Sequence, residues 1–110
     1  MNNGYLQVIA YYYAKQGMGE HVNQALIELA AATRTEPDNL SYQFFRSTEN
    51  SDHFVILEQY QTANGLEAHR QTEHFQRIGV SIITPLLDSK QVESIFVTQG
   101  NNSLNQGVRQ

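Results

Sequence analysis

Cysteine is missing from all 110 residues of the chain. Its absence excludes disulfide bonds, thiolate nucleophiles, zinc–thiolate centres and cysteine-ligated clusters. Tryptophan is also missing, and proline occurs only at Pro37 and Pro85. Because proline cannot continue a helix, we expect a helix to end at each of these positions.

Positive charge is scarce and scattered. Seven Lys and Arg stand against eleven Asp and Glu, which gives a formal net charge of -4. No stripe of cations is present to neutralise phosphates, so we expect no nucleic-acid partner.

Long apolar runs are missing as well. None approaches the roughly 18 residues that a membrane span needs. The N-terminal stretch MNNGYLQVIAYYY has neither a cationic start nor a small-residue cleavage site, so it does not read as a signal peptide. We therefore expect no membrane segment, and a cytoplasmic location.

The hydrophobic pattern is that of one small globular domain. Strands are predicted at residues 6–14, 40–47, 53–60 and 91–97. One helix is predicted from Met18 or Gly19 to Thr35, and a second helical region, capped by Thr62 and again by Thr72, runs to Pro85. The first helix places Val22, Ala25, Leu26, Leu29, Ala30 and Thr33 on one face, and the second points Phe75, Ile78, Gly79, Ile82 and Ile83 inward.

The predicted order β-α-β-β-α-β is the ferredoxin-like arrangement of the α+β class. Its antiparallel four-stranded sheet carries two helices on one face. Residues 1–97 are expected to form this domain. The segment 98–110, which is rich in Asn, Gly and Gln, is expected to be a flexible polar tail.

The strands carry apolar residues on both faces. In the third strand Phe54 and Ile56 point one way, while Val55 and Leu57 point the other. A second apolar face that no helix of the chain covers predicts a homodimer packed sheet on sheet. The alternative is that short apolar runs overstate this face.

Glu58 and His69 form the first candidate constellation. Glu58 ends the apolar run of the third strand, and His69 follows on the next helix. A carboxylate beside an imidazole orients the ring and makes it a better base. The alternative is a structural hydrogen bond at the strand-to-helix corner.

His74 follows His69 by five residues, which on one continuous helix would set the two about 140° apart. That is not the spacing of a helical zinc site. A kink at Thr72 could join them with Glu58 around a metal, but we expect no metal. No fingerprint of an organic cofactor is present either.

The aromatic residues are expected to be mostly core. Tyr42 is the exception, because a buried phenol needs a partner and can position a substrate oxygen. Aromatic rings between sheet and helices can line a flat apolar pocket. We expect Phe44, His74 and Phe75 to line this substrate pocket.

Three segments resemble the antibiotic biosynthesis monooxygenase domain. They are EPDNLSY at residues 36–42, the strand from Phe54 to Tyr60 that contains Glu58, and EAH at 67–69 with TEHF at 72–75. The likeness covers most of residues 6–97. It rests on the combination of segments, because no single position is diagnostic.

The resemblance implies a dimeric α/β barrel of ferredoxin-like protomers. It also implies oxidation of a small quinol-like or polycyclic phenolic substrate by O2, without metal, flavin or haem. The substrate then supplies the electrons, and the protein supplies a base and a dry pocket. His69 would be the base or hydrogen-bond partner, supported by Glu58 and Tyr42.

Other functions of this family stay open. Haem degradation is not expected, because the haem-degrading members use an Asn, Trp and His set and this chain has no Trp and no Asn inside the first strand. The segments also resemble relatives that process a phosphorylated signalling sugar, so a keto-sugar isomerase is one alternative. A non-catalytic dimeric module that binds a small apolar ligand is the other.

Overall fold

The computed structural model describes residues 4–98. The strands are β1 (Gly4–Ala14), β2 (Asn39–Arg46), β3 (His53–Tyr60) and β4 (Leu87–Thr98), and the helices are α1 (Gly19–Thr33), α2 (Gly65–Arg70) and α3 (Phe75–Ile83), with a 3-10 turn at Thr84–Leu86. The predicted α+β, ferredoxin-like order β-α-β-β-α-β is confirmed. Apart from Thr98, which ends β4, the predicted flexible tail lies outside the described residues, so its flexibility and the domain boundary stay predictions.

The sheet has the strand order β2-β3-β1-β4, and its neighbours are all antiparallel. Residues that lie directly opposite each other on neighbouring strands point to the same face of the sheet. Leu6 therefore lies on the same face as its two partners, Tyr60 in β3 and Phe96 in β4. By the same register, Val8 and Tyr42 both flank Glu58. We call this face, which the helices cover, the inner face.

Helix α1 packs on the inner face through the predicted stripe of small and aliphatic residues. All six members are buried: Val22, Ala25, Leu26, Leu29, Ala30 and Thr33. This confirms the predicted face, although α1 ends two residues before Thr35. The chain then turns, and Pro37 lies in that turn.

Helix α3 is a π-helix, in which backbone hydrogen bonds connect residues five apart. Ile78 and Ile83 are therefore stacked on the same side, and both have zero exposure. The prediction that Ile82 points inward is wrong, because this side chain is 43% exposed. The wider π-turn rotates Ile82 out of the buried face, which a periodicity of 3.6 residues cannot anticipate.

Two further local predictions are corrected. Thr62 does not cap α2, because its hydroxyl donates to Asp38 Oδ2 (2.9 Å) and α2 begins three residues later. Strand β4 begins at Leu87 rather than at residue 91. It is an edge strand with almost every residue exposed. Residues 88–91 are therefore polar and lack the alternation of apolar and polar residues by which a half-buried strand is predicted. Thr72 does cap the second helical segment, since its hydroxyl accepts from Phe75 N (3.2 Å).

The other side of the sheet, the outer face, is apolar and has no helix over it in the described chain. Its members include Tyr11, Val55, Leu57, Phe45 and Ile95, of which Phe45 and Ile95 are 52% and 66% exposed. A groove of about 180 Å3 crosses this face and is lined mainly by aromatic residues. This is the face from which the sequence predicts a dimer.

No helix within residues 4–98 has the length and apolar character that crossing a bilayer requires. The longest, α1, has 15 residues. A helical span takes about 20 residues. The cytoplasmic location stays a prediction.

Candidate active site

A single carboxylate oxygen connects two histidines at one end of the sheet. Glu36 Oε2 lies 2.8 Å from His69 Nδ1 and 2.5 Å from His74 Nε2. An ionised carboxylate only accepts hydrogen bonds, so each ring nitrogen donates. All three side chains are largely buried, with 10%, 2% and 17% exposure for Glu36, His69 and His74. The local sequence pattern gave no indication of a role for Glu36.

Strand pairing brings Glu36 to this position. Asn39 at the start of β2 pairs with Tyr60 at the end of β3, so the turn before β2 and the connection after β3 lie at the same end of the sheet. Glu36 is in that turn, and its backbone N–H donates to Thr33 O (2.9 Å). Gln61 N donates to Asp38 O (2.9 Å), which ties the turn to the connection.

A glycine allows α2 to start close to the sheet. A Cβ atom at Gly65 would lie 2.2 Å from Tyr60 Cβ and 2.9 Å from Asp38 Oδ2. No larger residue fits there without moving the backbone. This close approach sets the position of α2, and with it that of His69, which lies one helical turn farther along.

Aromatic rings surround the His69 imidazole. Phe75 contacts it edge to face with the ring centroids 5.0 Å apart, and the rings of Tyr60, Tyr42 and His74 lie at 5.8, 6.1 and 6.2 Å. Together with the Glu36 hydrogen bond, these contacts fix the ring plane and direct Nδ1 toward Glu36. In the neutral ring, a proton on Nδ1 leaves the lone pair on Nε2.

A cavity lies between the inner face and the helices, and His69 lines it. The other lining residues are Ala10, Tyr12, Tyr42, Glu58, Leu66, Arg70, Phe75, Lys90 and Val92. The space open to the centre of a water-sized sphere is about 30 Å3. In this conformation the cavity holds a group the size of water or O2, and a larger ligand has to displace side chains at its mouth.

Several polar atoms of this lining have no protein partner. Within residues 4–98, His69 Nε2 and the hydroxyls of Tyr12 and Tyr42 make no hydrogen bond. They are not sealed among apolar atoms either, because Thr33 Oγ1 is the one fully buried, unpartnered side-chain polar atom in that range. We infer that these three groups open onto the cavity, where they can bind a ligand oxygen.

The tyrosine hydroxyls around the cavity stay protonated. Burial, followed by the nearby Glu58 charge, raises the pKa of Tyr12 and Tyr42 well above the ordinary value of 10.0. The pKa of Tyr60 is raised by the same two causes. Tyr12 and Tyr42 therefore act as hydrogen-bond donors at neutral pH. The backbone of Tyr42 is held by Arg34, which donates twice to Tyr42 O (2.7 and 3.0 Å).

Glu58 lies in the cavity wall, but it is not the hydrogen-bond partner of His69. Its Oε1 accepts from Tyr60 Oη (2.6 Å), and its exposure is 6%. Burial raises the pKa of this carboxyl above 4.5, and the Tyr60 hydrogen bond opposes that rise. The expectation that Glu58 orients His69 is therefore replaced by Glu36, because Glu36 has the direct contact.

Of the other predicted pocket residues, one lines the cavity and two do not. Phe75 lines the cavity and contacts His69. His74 lies behind His69, where it binds Glu36 and is not part of the cavity wall. Phe44 packs against the hydrophobic core and is also absent from that wall. Tyr12, which was expected in the core, also lines the cavity.

Glu36, His69 and His74 also have the chemistry of metal ligands, with one ligand atom each, all within 4.8 Å. Two imidazoles and a carboxylate suit zinc or iron(II). Bonds of about 2.0–2.1 Å in a tetrahedral site set ligand atoms roughly 3.3 Å apart. Here Glu36 Oε2 is nearer than that to both nitrogens, so a metal would have to push the side chains apart. The arrangement fits proton sharing better.

The comparisons with known proteins agree with the fold. The family model for antibiotic biosynthesis monooxygenases matches residues 6–79. The chain belongs to this family. No curated protein matches the sequence. Membership supports a general monooxygenase-like function and a small-molecule substrate.

Solved structures extend the likeness over most of the chain. A protein from Pseudomonas aeruginosa is 28% identical with a TM-score of 0.80, covering 88% of this chain and 97% of its own. A Bacteroides thetaiotaomicron protein described as a possible oxidoreductase is 28% identical with a TM-score of 0.78, covering 86% and 99%. A structure described as an antibiotic biosynthesis monooxygenase, for which no organism is named, is 30% identical with a TM-score of 0.73, covering 84% and 95%.

Proposed function

We propose that the protein is a cofactor-independent monooxygenase that oxidises a small quinol-like or polycyclic phenolic substrate with O2. The observation that carries this proposal is the set of unpartnered atoms in one cavity, His69 Nε2 and the Tyr12 and Tyr42 hydroxyls. One is a base and two are donors, which is what removing a phenolic proton and holding the resulting oxyanion require. Family membership supports the reaction class.

The first step is deprotonation of the substrate hydroxyl. His69 Nε2 takes the proton, and the resulting imidazolium is stabilised by Glu36 through the Nδ1–H hydrogen bond of 2.8 Å. Tyr42 and Tyr12, kept neutral by their raised pKa values, donate to the phenolate oxygen. Glu36 is thus a positioning residue, because it acts through His69.

The second step is electron transfer from the phenolate to O2. For a naphthol-like substrate, the molecule loses one C–H hydrogen and its O–H hydrogen, gains one oxygen atom on the ring carbon that lost hydrogen, and becomes a quinone. The other oxygen atom leaves as water with those two hydrogens. Atoms and electrons balance without an external reductant, because the substrate supplies all four electrons. The apolar wall that includes Ala10, Leu66 and Phe75 limits access of water.

We also propose that two protomers pack through their outer faces into a dimeric barrel. Phe45 and Ile95 are half-exposed or more on this face, and an aromatic groove of about 180 Å3 crosses it. Contiguous apolar surface of this kind is typical of an interface. Sheet-on-sheet packing would bury it and leave the inner-face cavity of each protomer separate.

Oxygen uptake tests the proposal. Metal-stripped protein is given 1-naphthol and anthrone, with a protein-free blank that corrects for autoxidation. We expect uptake above the blank, and loss of at least about 100-fold in His69→Ala because the general base is gone. Tyr42→Phe should lower the rate by about tenfold or more, since it removes one donor while keeping the ring.

His21→Ala is the matched control. His21 is exposed on α1 and remote from the cavity, so its removal should leave the rate unchanged. Circular dichroism checks that the His69 variant is folded. Uptake that equals the blank with every substrate, or that survives in folded His69→Ala, would contradict the proposal.

An isomerase acting on a phosphorylated keto sugar is the second candidate. The observation that favours it is the same base beside the same two donors, because enolisation of a ketone also needs a base and a stabilised oxyanion. Such an enzyme would exchange a substrate C–H with deuterium from solvent and consume no oxygen. Proton NMR in D2O separates the two reactions.

A further inference from the structure

Two cationic side chains that line the cavity differ from the other Lys and Arg side chains of residues 4–98 in that they have no hydrogen-bond partner. The sequence has seven Lys and Arg, and six remain when Arg109, outside residues 4–98, is set aside. Four of the six make side-chain hydrogen bonds: Lys15 to Pro85 O, Arg34 to Tyr42 O, Arg46 to Glu20 and Ser51 O, and Arg77 to Glu28 and Glu73. Within the described part of the chain, the side chains of Arg70 and Lys90 have no such partner. Both line the cavity of His69.

The two residues reach the cavity from opposite walls. Arg70 ends α2 directly after His69 and is half-buried, while Lys90 is exposed on the inner face of β4, where it pairs with Tyr12. The Arg70 charge acts on the cavity groups. Burial raises the pKa of Tyr12 and Glu58, and the guanidinium partly opposes both rises.

The lack of an ion pair at Arg70 requires an explanation in an acidic protein. The net charge is -4, and the buried Glu58 carboxyl lines the same cavity as the guanidinium. Even so, Glu58 accepts from Tyr60, and no salt bridge to Arg70 forms. A half-buried guanidinium has five N–H donors that match a carboxylate or phosphate in a fork geometry. Its free donors at the cavity are a ready site for an anion.

We propose that the substrate carries an anionic group, a carboxylate or a phosphate, close to its reactive hydroxyl. Arg70 holds this group, and Lys90 adds a second positive charge at the mouth. Because Arg70 adjoins His69 in sequence, anchoring the anion at Arg70 directs the neighbouring hydroxyl toward His69 Nε2. The inference rests on the proposed function for the role of the hydroxyl, but the anion site can be tested without turnover.

The test measures binding of three fluorescent ligands with the same two rings, under nitrogen and at fixed ionic strength. They are 1-hydroxy-2-naphthoate, 1-naphthyl phosphate and neutral 1-naphthol. We expect at least one anion to bind about tenfold or more tightly than 1-naphthol, as a charge-assisted contact predicts. The preference should shrink with added salt, because both cations are partly exposed.

Arg70→Gln and Lys90→Gln should each reduce the preference for the anions over 1-naphthol by about threefold to tenfold. Lys15→Gln removes a charge outside the cavity and should not alter the preference. Equal affinity for charged and neutral ligands would overturn the inference. So would a preference that persists when Arg70 and Lys90 are both replaced.

The outcome is independent of the oxygenase proposal. Anion preference without oxygen uptake from any hydroxyarene would retain the anion site and reject the oxygenase. Oxygen uptake from 1-naphthol without anion preference would do the reverse. Tighter binding of the phosphate than of the carboxylate would identify the phosphate as the anionic group.

Discussion

Replacing Glu36 by alanine should destabilise the fold more than any exposed carboxylate substitution does. The change removes the acceptor of two hydrogen bonds, from His69 Nδ1 at 2.8 Å and from His74 Nε2 at 2.5 Å. After the substitution, the N–H groups of the two histidines differ in their access to water. His74 is 17% exposed and can turn to water, whereas His69 is 2% exposed and would keep a buried N–H without a partner.

The size of the loss follows from these burials. A hydrogen bond to a charged acceptor contributes about 1.5–3 kcal/mol, and a buried donor left alone costs about 1–3 kcal/mol. Counting the His69 bond in full and the His74 bond at a fraction, we expect a free-energy loss of about 3 kcal/mol on Glu36→Ala. For a domain near this size, 1 kcal/mol lowers the Tm by about 4–8 °C, so the Tm should fall by roughly 12–24 °C.

Urea denaturation followed by circular dichroism measures the loss, at one protein concentration so that any association is held constant. Glu28→Ala is the matched control. Glu28 is 57% exposed and pairs with Arg77 at 3.0 Å, so its removal should cost less than about 1 kcal/mol. Glu36→Gln should fall between the two, since its carbonyl oxygen still accepts hydrogen bonds but lacks the charge that strengthens them.

Imidazole 15N shifts give a second readout that a purely structural role would not move. In the parent protein His69 should carry its neutral-state proton on Nδ1, and in Glu36→Gln the two tautomers should mix. A Glu36→Ala variant as stable as Glu28→Ala, with the His69 tautomer unchanged, would refute the assignment of Glu36 as the positioning residue.

Four other predictions concern the carboxyl, the core, the dimer and metal. Burial raises the pKa of Glu58 above 4.5, so its stabilisation is complete below that pH and is lost as the pH rises through the raised pKa. The stability of Glu58→Gln relative to the parent should therefore increase with pH in urea titrations. Ile78→Ala should cost about 2–5 kcal/mol and Ile82→Ala about 0.5 kcal/mol by the same assay, because π-winding buries only the first. Phe45→Glu should shift the sedimentation coefficient from dimer to monomer, and an unchanged coefficient would place the interface elsewhere. Oxygen uptake should remain within about twofold after treatment with EDTA, and activity that zinc or iron(II) restored would contradict metal-free chemistry.

Local pattern was sufficient for the bounds of β3 and for the face of α1. The spacing of Val22, Leu26 and Leu29 reports directly which side of a helix is buried, and all three are buried. The alternation in β3 likewise gave the correct bounds, His53 to Tyr60. These features depend on neighbours three or four positions away in a helix and two in a strand, so the sequence alone contains them.

The site depends on contacts that local pattern does not contain. Glu36 is 33 residues from His69 and 38 from His74, and its position before Pro37 indicates only a helix end. The hairpin register did hold a usable signal, because pairing the start of β2 with the end of β3 brings this turn beside α2. The 140° separation of the two histidines applied only to one continuous helix, and a kink at Thr72 was the alternative. The chain is interrupted there, since α2 ends at Arg70 and α3 begins at Phe75.

The three residues of the Glu36 network belong to three separate segments, the turn after α1, helix α2 and the residue before α3. No one of these segments can assemble the base by itself, and the sequence separations of 33 and 38 residues make the contacts late and costly in chain entropy. Local unfolding of any one segment would release His69 from its partners. The Glu36 network should therefore be lost at a lower denaturant concentration than the sheet itself.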